Sequence, residues 1–113
     1  MKVINLSRNT ILADKAAKAE SPFARLVGLL KRKSLDKGEA LILSPSSGIH
    51  SFFMRFTIDA LFLDKTGKVI AILPSFKPWR LSSIYFSAHT VIELPEGTIN
   101  LTQSQPGDTI QIK

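Results

Sequence analysis

The sequence predicts a strand-rich α+β domain with a curled or barrel-like, mostly antiparallel sheet of about seven or eight short strands and one main helix near the N-terminus. Short apolar runs recur along the 113-residue chain and are separated by glycine, proline and serine. One segment near the N-terminus carries apolar residues at helical spacing. Because 44% of the residues are hydrophobic, the chain can bury one core, and we expect a single domain over residues 1–113.

The N-terminal third contributes two predicted strands and the predicted helix. Residues 3–6 and 10–13 are short apolar runs on either side of a turn. Ser21 is a suitable helix N-cap, and Pro22 is a suitable first helical residue. The apolar residues that follow at helical spacing are Phe23, Leu26, Val27 and Leu30. Residues 16–19 fit a helical turn or a loop equally well.

After Gly38 the apolar pattern changes to that of strands. The predicted strands cover residues 40–43, 49–53, 58–63, 68–73, 90–94 and 109–112. Residues 64–67 have the composition of a hairpin turn. A longer loop contains Trp79 and Tyr85, and residues 98–103 fit a short helix.

The net charge of +6 is concentrated in residues 1–40, which hold nine Lys and Arg against four Asp and Glu. Such an excess attracts phosphates or acidic partners. It supports one function hypothesis, nucleic-acid binding through Arg25, Lys31, Arg32 and Lys33. The favoured interpretation is a solvated helix end, because basic side chains complement the negative end of the helix dipole.

Several classes of protein are excluded by what the sequence lacks. Without cysteine there are no disulfides, thiolate zinc sites or cysteine nucleophiles. No apolar run reaches the roughly 18–20 residues of a membrane span, and the first nine residues lack the apolar core of a signal peptide. We therefore expect a soluble, cytoplasmic protein with no membrane partner.

The segment around Met54 contains a possible acid–base pair. If Met54 and Arg55 formed the tip of a hairpin, His50 would lie opposite Asp59. A histidine oriented by an aspartate belongs to many acid–base sites, which supports a small hydrolase-like enzyme as an alternative function. A structural hydrogen bond is favoured over catalysis, because buried polar groups are usually paired.

Metal binding is considered for His89 and Glu93, which share one face of an extended segment. With His50 and Asp59 they form the set of two histidines and two carboxylates that the sequence offers. The histidines lie in different segments, and no tight ligand spacing such as HExxH occurs. We therefore predict no metal and no cofactor.

The loop 77–80 places an aromatic residue and cations together, at Lys77, Trp79 and Arg80. Loops of this kind often bind ligands, whereas a tryptophan can also cap the core, and both interpretations stay open. Most phenylalanines are expected in the core, with two or three at the surface, rather than in a platform on which bases stack. Those considered are Phe52, Phe53, Phe56, Phe62, Phe76 and Phe86.

Three stretches together resemble the bacterial and archaeal family known as domain of unknown function 192. They are GLLKRKSL at residues 28–35, IHSFFMRFTIDALFLD at residues 49–64, and VIELPEG at residues 91–97 with a later Gly-Asp pair. Leu30 stands where the family usually has methionine, and the short spacing of residues 54–59 resembles the soluble branch rather than the secreted one. The resemblance implies a compact strand-rich fold and no established activity.

The leading function hypothesis is a non-enzymatic binding module with a polar pocket for a small anionic or polar ligand or for a protein segment. Polar residues inside apolar strands predict the pocket, because they cost stability unless they are used or paired. Its lining residues are His50, Met54, Thr57, Asp59, Arg80 and Glu93. The hydrolase and nucleic-acid hypotheses rank second and third, and the oligomeric state stays open.

Overall fold

The structure is a computed structural model that describes residues 1–19 and 33–113. These residues form eight strands and the short helix α1 (Thr98–Thr102). The strands are β1 (Val3–Asn5), β2 (Thr10–Ala13), β3 (Lys15–Lys18), β4 (Glu39–Leu43), β5 (Ile58–Leu63), β6 (Val69–Phe76), β7 (Thr90–Pro95) and β8 (Ile110–Ile112). They form a three-stranded sheet of order β2-β1-β8 and a five-stranded sheet of order β3-β4-β7-β5-β6.

The predicted fold class is wrong, although the strand-rich composition is correct. The strands form two sheets instead of one curled, barrel-like sheet, and neither sheet closes into a barrel within the described residues. The helix that the structure describes, Thr98–Thr102, lies on the C-terminal side. The helix predicted from Pro22 to Leu30 lies outside the described residues.

The chain changes sheet at Asp14, the single residue between β2 and β3. The carbonyl oxygen of Gly38 accepts hydrogen bonds from the backbone N–H groups of Asp14 (3.0 Å) and Lys15 (2.8 Å). The next residues pair in parallel with β4, with Ala16 opposite Ala40. The helical turn or loop predicted for residues 16–19 is therefore wrong for residues 16–18, because strand pairing overrides the local preference of alanine.

The five-stranded sheet is covered on both faces, and its inner strand β5, between β7 and β6, is buried at every residue. The odd-numbered Leu61 and Leu63 belong to a first core cluster, which also includes residues of the three-stranded sheet and Ile99 of α1. The even-numbered Ile58 and Phe62 belong to a second core cluster on the opposite face. Loops between the strands supply much of this second cluster.

The hairpin between β5 and β6 forms at the predicted turn. The carboxylate of Asp64 accepts hydrogen bonds from the hydroxyl of Thr66 (2.6 Å) and the backbone N–H of Lys68 (3.0 Å). The hydrogen bond from the Thr66 side chain, followed by that from Lys68, lowers the pKa of Asp64. The turn is thus fixed by its own first residue, as its composition indicated.

Candidate functional site

Two long loops fold against each other to form what we call the aromatic loop pair. One loop, residues 44–57, joins β4 to β5, and the other, residues 77–89, joins β6 to β7. The strand predicted at residues 49–53 does not form, and a single bridge pairs His50 with Leu81 instead. The first loop therefore takes its backbone partners from the second loop rather than from a regular strand.

Ser51 is the centre of this contact and is completely buried. Its hydroxyl donates to the carbonyl of Lys77 (2.6 Å) and accepts from the backbone N–H of Arg80 (3.0 Å). Its own backbone N–H donates to the carbonyl of Arg80 (2.9 Å), and its carbonyl accepts from the N–H of Trp79 (3.0 Å). One side chain and its backbone therefore fix the relative positions of both loops.

Four aromatic rings contact one another across the two loops, and we call them the ring row. His50 stacks on Phe52 with centroids 5.2 Å apart and 29° between the planes. Phe52 lies 6.1 Å from Trp79, which in turn lies 4.6 Å from Phe53. The row is exposed at its end, since Phe53 and Trp79 are 65% and 56% exposed.

Two exposed rings of the row stand on strained backbone. Phe53 has φ 67° and Trp79 has φ 65°, in the left-handed region that bulky residues rarely adopt. The hydrogen bonds to the carbonyl of Ser51, from Met54 (3.1 Å) and from Trp79, lie beside these two positions. Strain of this kind is held in place by surrounding structure and is concentrated at functional sites.

Further exposed apolar side chains extend this surface along the second loop. Leu81, Ile84 and Phe86 are all exposed, and Phe86 is 93% exposed. Tyr85 anchors this loop to the core, because its ring lies 4.6 Å from the buried ring of Phe62. Several exposed apolar side chains in one loop of a small domain indicate an interaction site.

All the Lys, Arg, Asp and Glu side chains of the aromatic loop pair are positively charged ones. Residues 44–57 and 77–89 contain three Lys or Arg residues and no Asp or Glu. The cations are Arg55, Lys77 and Arg80, and all three are exposed. An exposed aromatic surface with uncompensated positive charge is complementary to an anionic partner.

Asp59 is buried on β5, and its carboxylate is held by backbone N–H groups. Oδ1 accepts from Ser75 (2.9 Å), and Oδ2 accepts from Gly97 (3.1 Å) and Ile99 (2.8 Å). Asp59 therefore caps the N-terminus of α1 from a different strand. Burial of this carboxyl was predicted, but its partners are three backbone N–H groups instead of the predicted His50.

The predicted hairpin between His50 and Asp59 does not form. Asp59 lies opposite Leu94 of β7, and the imidazole Nδ1 of His50 accepts from the backbone N–H of Phe52 (3.3 Å). No hydrogen bond joins His50 to Asp59, both of which the structure describes. The acid–base pair of the hydrolase hypothesis is therefore absent from this geometry.

The predicted polar pocket is divided between the two faces of the five-stranded sheet. Glu93 lies opposite Ala60, whereas Asp59 lies opposite Leu94, so the two buried carboxylates point to opposite faces. Met54 is buried in the second core cluster. The other predicted lining residues are half-buried Thr57 and exposed His50 and Arg80.

The residues predicted to bind nucleic acid or metal are placed as follows. Lys33 is exposed, and the cations at positions 25, 31 and 32 lie outside the described residues. His89 is half-buried. Across residues 1–19 and 33–113, no group of three His, Asp or Glu side chains could hold a metal ion. In the same part of the chain, no helix is long and apolar enough to cross a membrane.

A family model described as "Uncharacterized ACR" matches residues 3–112, almost the whole chain. The chain belongs to the DUF192 family. The resemblance carried by the three sequence stretches is thereby confirmed.

Curated relatives of this DUF192 chain include archaeal UPF0127 proteins. One from Thermococcus sibiricus is 30% identical over 112 residues, which cover 96% of this chain and 72% of the relative. Another, from Pyrococcus horikoshii, is 29% identical and is matched over 96% of each chain.

Solved structures similar to this DUF192 chain show the same fold. A protein of unknown function from Novosphingobium aromaticivorans has a TM-score of 0.83 at 18% identity, covering 98% of this chain and 82% of its own. A proposed transcription regulator from Sinorhizobium meliloti has a TM-score of 0.78 at 20% identity, covering 97% and 89%. At this identity the likeness concerns the fold alone.

Part of the aromatic loop pair of this DUF192 chain was missed by sequence reasoning. Two or three phenylalanines were predicted to lie at the surface without being identified, and the structure exposes Phe53 and Phe86. Ser51 was not predicted as a site residue, because its role depends on the contact between the two loops. The lack of acidic residues in both loops was the available signal.

Proposed function

We propose that this DUF192 domain is a non-enzymatic binding module that holds an anionic partner on the aromatic loop pair. The observation that carries the proposal is the ring row on two loops that also contain exposed Arg55, Lys77 and Arg80 and no acidic residue. Cations attract the partner over a distance, and exposed rings provide contact area at low entropic cost. Two residues of the predicted pocket, His50 and Arg80, also belong to the proposed site. The proposed site lies on the two loops rather than inside the strands.

Preorganisation also supports binding at this surface. Ser51 is fully buried and fixes both loops before any partner arrives. A surface that is already ordered loses less conformational entropy when it binds, so more of the contact energy appears as affinity.

The test uses the emission of Trp79, since the chain has one tryptophan and it stands in the ring row. Three anionic probes are titrated separately: a twelve-residue oligothymidylate, phosphatidylglycerol vesicles and polyglutamate. We expect at least one of them to change the emission saturably. The double variant Arg55→Gln/Arg80→Gln should weaken that binding roughly tenfold, because two cations are removed from the surface.

The matched control is Lys2→Gln/Lys113→Gln, which removes the same charge beside the three-stranded sheet. Both lysines are exposed, and their backbones pair with each other. The control should bind within about twofold of the original protein, because distant exposed charges are screened at moderate salt. No response of Trp79 to any of the three probes, or equal weakening by both double variants, overturns the proposal.

A further inference from the structure

We propose that the anionic partner is single-stranded nucleic acid, whose bases stack on the ring row and whose phosphates contact the loop cations. This inference rests on the proposed function and names the chemical class of its partner. It differs from the sequence-based nucleic-acid hypothesis, which used the cations of residues 25–33, because it uses the two loops.

The ring row has the chemistry of a stacking platform. Four contacting rings continue across the two loops, with centroid separations between 4.6 and 6.1 Å. Every unpaired base offers a planar face, and proteins that bind single strands stack successive bases on aromatic side chains. In a duplex these faces are already stacked on each other, so the platform selects unpaired strands.

The charges suit a partner that carries a negative charge at each unit of a polymer. Arg55 lies in the same loop as Phe53, and Lys77 and Arg80 lie in the same loop as Trp79. Phosphates that flank a stacked base can therefore meet a cation from either loop. No carboxylate in the two loops opposes them.

The composition of the ring row favours bases over a lipid surface. Its first two members are the polar imidazole of His50 and the half-buried ring of Phe52. These two rings add stacking area but little apolar surface to insert among acyl chains, and the exposed Leu81, Ile84 and Phe86 lie outside the ring row. Rings held at fixed angles on strained backbone also suit a planar group better than a fluid one.

The experiment measures Trp79 emission during titration with twelve-residue oligothymidylate and oligouridylate, which separate DNA from RNA as the source of the strand. We expect saturable quenching by at least one of them. With about three phosphates contacted, raising monovalent salt from about 50 to about 200 mM should weaken binding roughly twentyfold.

Two matched comparisons separate stacking from charge alone. Phe53→Ala should weaken binding roughly tenfold, whereas Leu101→Ala, which truncates an exposed side chain of α1, should leave it unchanged. A twelve-unit abasic deoxyribose-phosphate oligomer has the charge of oligothymidylate but no bases. Added alone, it should leave Trp79 unquenched, and in competition with oligothymidylate we expect it to bind at least roughly tenfold more weakly.

The outcomes distinguish this inference from the proposed function. If phosphatidylglycerol vesicles or polyglutamate bind while both oligonucleotides fail, the inference is overturned and the proposed function stands. If the abasic oligomer binds as well as oligothymidylate, or Phe53→Ala has no effect, the stacking role is overturned. If none of the anionic probes binds, both proposals fail.

Discussion

Asp108 is buried where the chain enters β8, and it connects the two sheets. Its Oδ2 accepts hydrogen bonds from Asn5 of β1 (2.9 Å), from Nε of Arg8 (3.2 Å) and from the backbone N–H of Gln105 (3.0 Å). Its carbonyl accepts from the N–H of Val69, the first residue of β6 (2.8 Å). A single residue thus joins the three-stranded sheet to the five-stranded sheet.

The pKa of Asp108 gives a prediction about how stability depends on pH. Burial alone would raise it, but the hydrogen bonds from Asn5, Arg8 and the Gln105 backbone, with the charge of Arg8, together lower the pKa of Asp108 below its ordinary value. A carboxyl with a lowered folded-state pKa stabilises the fold above its ordinary pKa and loses that contribution as pH falls through the lowered value. We therefore expect the melting temperature of the original protein to fall more between about pH 6 and about pH 2 than that of Asp108→Asn.

Calorimetry at several pH values checks this comparison. Asp108→Asn is expected to be the less stable protein at neutral pH, because it loses a charge-assisted ion pair with Arg8. The same drop in melting temperature on acidification in both proteins would contradict the assigned role of the Asp108 carboxylate.

At the scale of elements, Asp59 on β5 connects three of them. Its carboxylate accepts from Ser75 of β6 and from Gly97 and Ile99 at the start of α1. Gly97 is the N-cap of α1 and has no side chain of its own to accept these bonds. The start of a helix as short as Thr98–Thr102 therefore depends on an acceptor from a distant strand.

Removal of this acceptor should destabilise the whole fold. Asp59→Ala leaves three backbone N–H groups without a partner, which should cost about 3 kcal/mol in the free energy of unfolding. Glu96→Ala is the matched control, because Glu96 is an exposed carboxylate beside Gly97. Its effect should stay within about 0.5 kcal/mol. Equal stabilities of the two variants in urea unfolding would contradict the capping role.

Most elements could be predicted from the sequence because their signals are local. The runs that became β4, β5 and β7, and the Asp64 turn, are each marked by a few adjacent residues. β3 was missed because its alanines and lysines carry no strand pattern and become a strand by pairing with β4. The division into two sheets was missed for the same reason, since pairing between distant residues has no local signal.

At the scale of the whole molecule, charge and exposed aromatic surface occur together. The aromatic loop pair, residues 44–57 and 77–89, supplies three of the positive charges in a chain whose net charge is +6. The sequence indicated half of this site, because Trp79 and Arg80 share one loop. The exposure of Phe53 could not be predicted, since it depends on the fit of one loop against the other around Ser51.

Chemical-shift mapping of backbone amides during addition of the twelve-residue oligothymidylate locates the binding surface on the protein. We predict that the largest shifts fall on residues 50–55 and 77–81, with the amides of β1 and β8 unchanged. Shifts centred on residues 33–37, shifts spread evenly over the chain, or no shifts at saturating oligonucleotide would contradict binding at the aromatic loop pair.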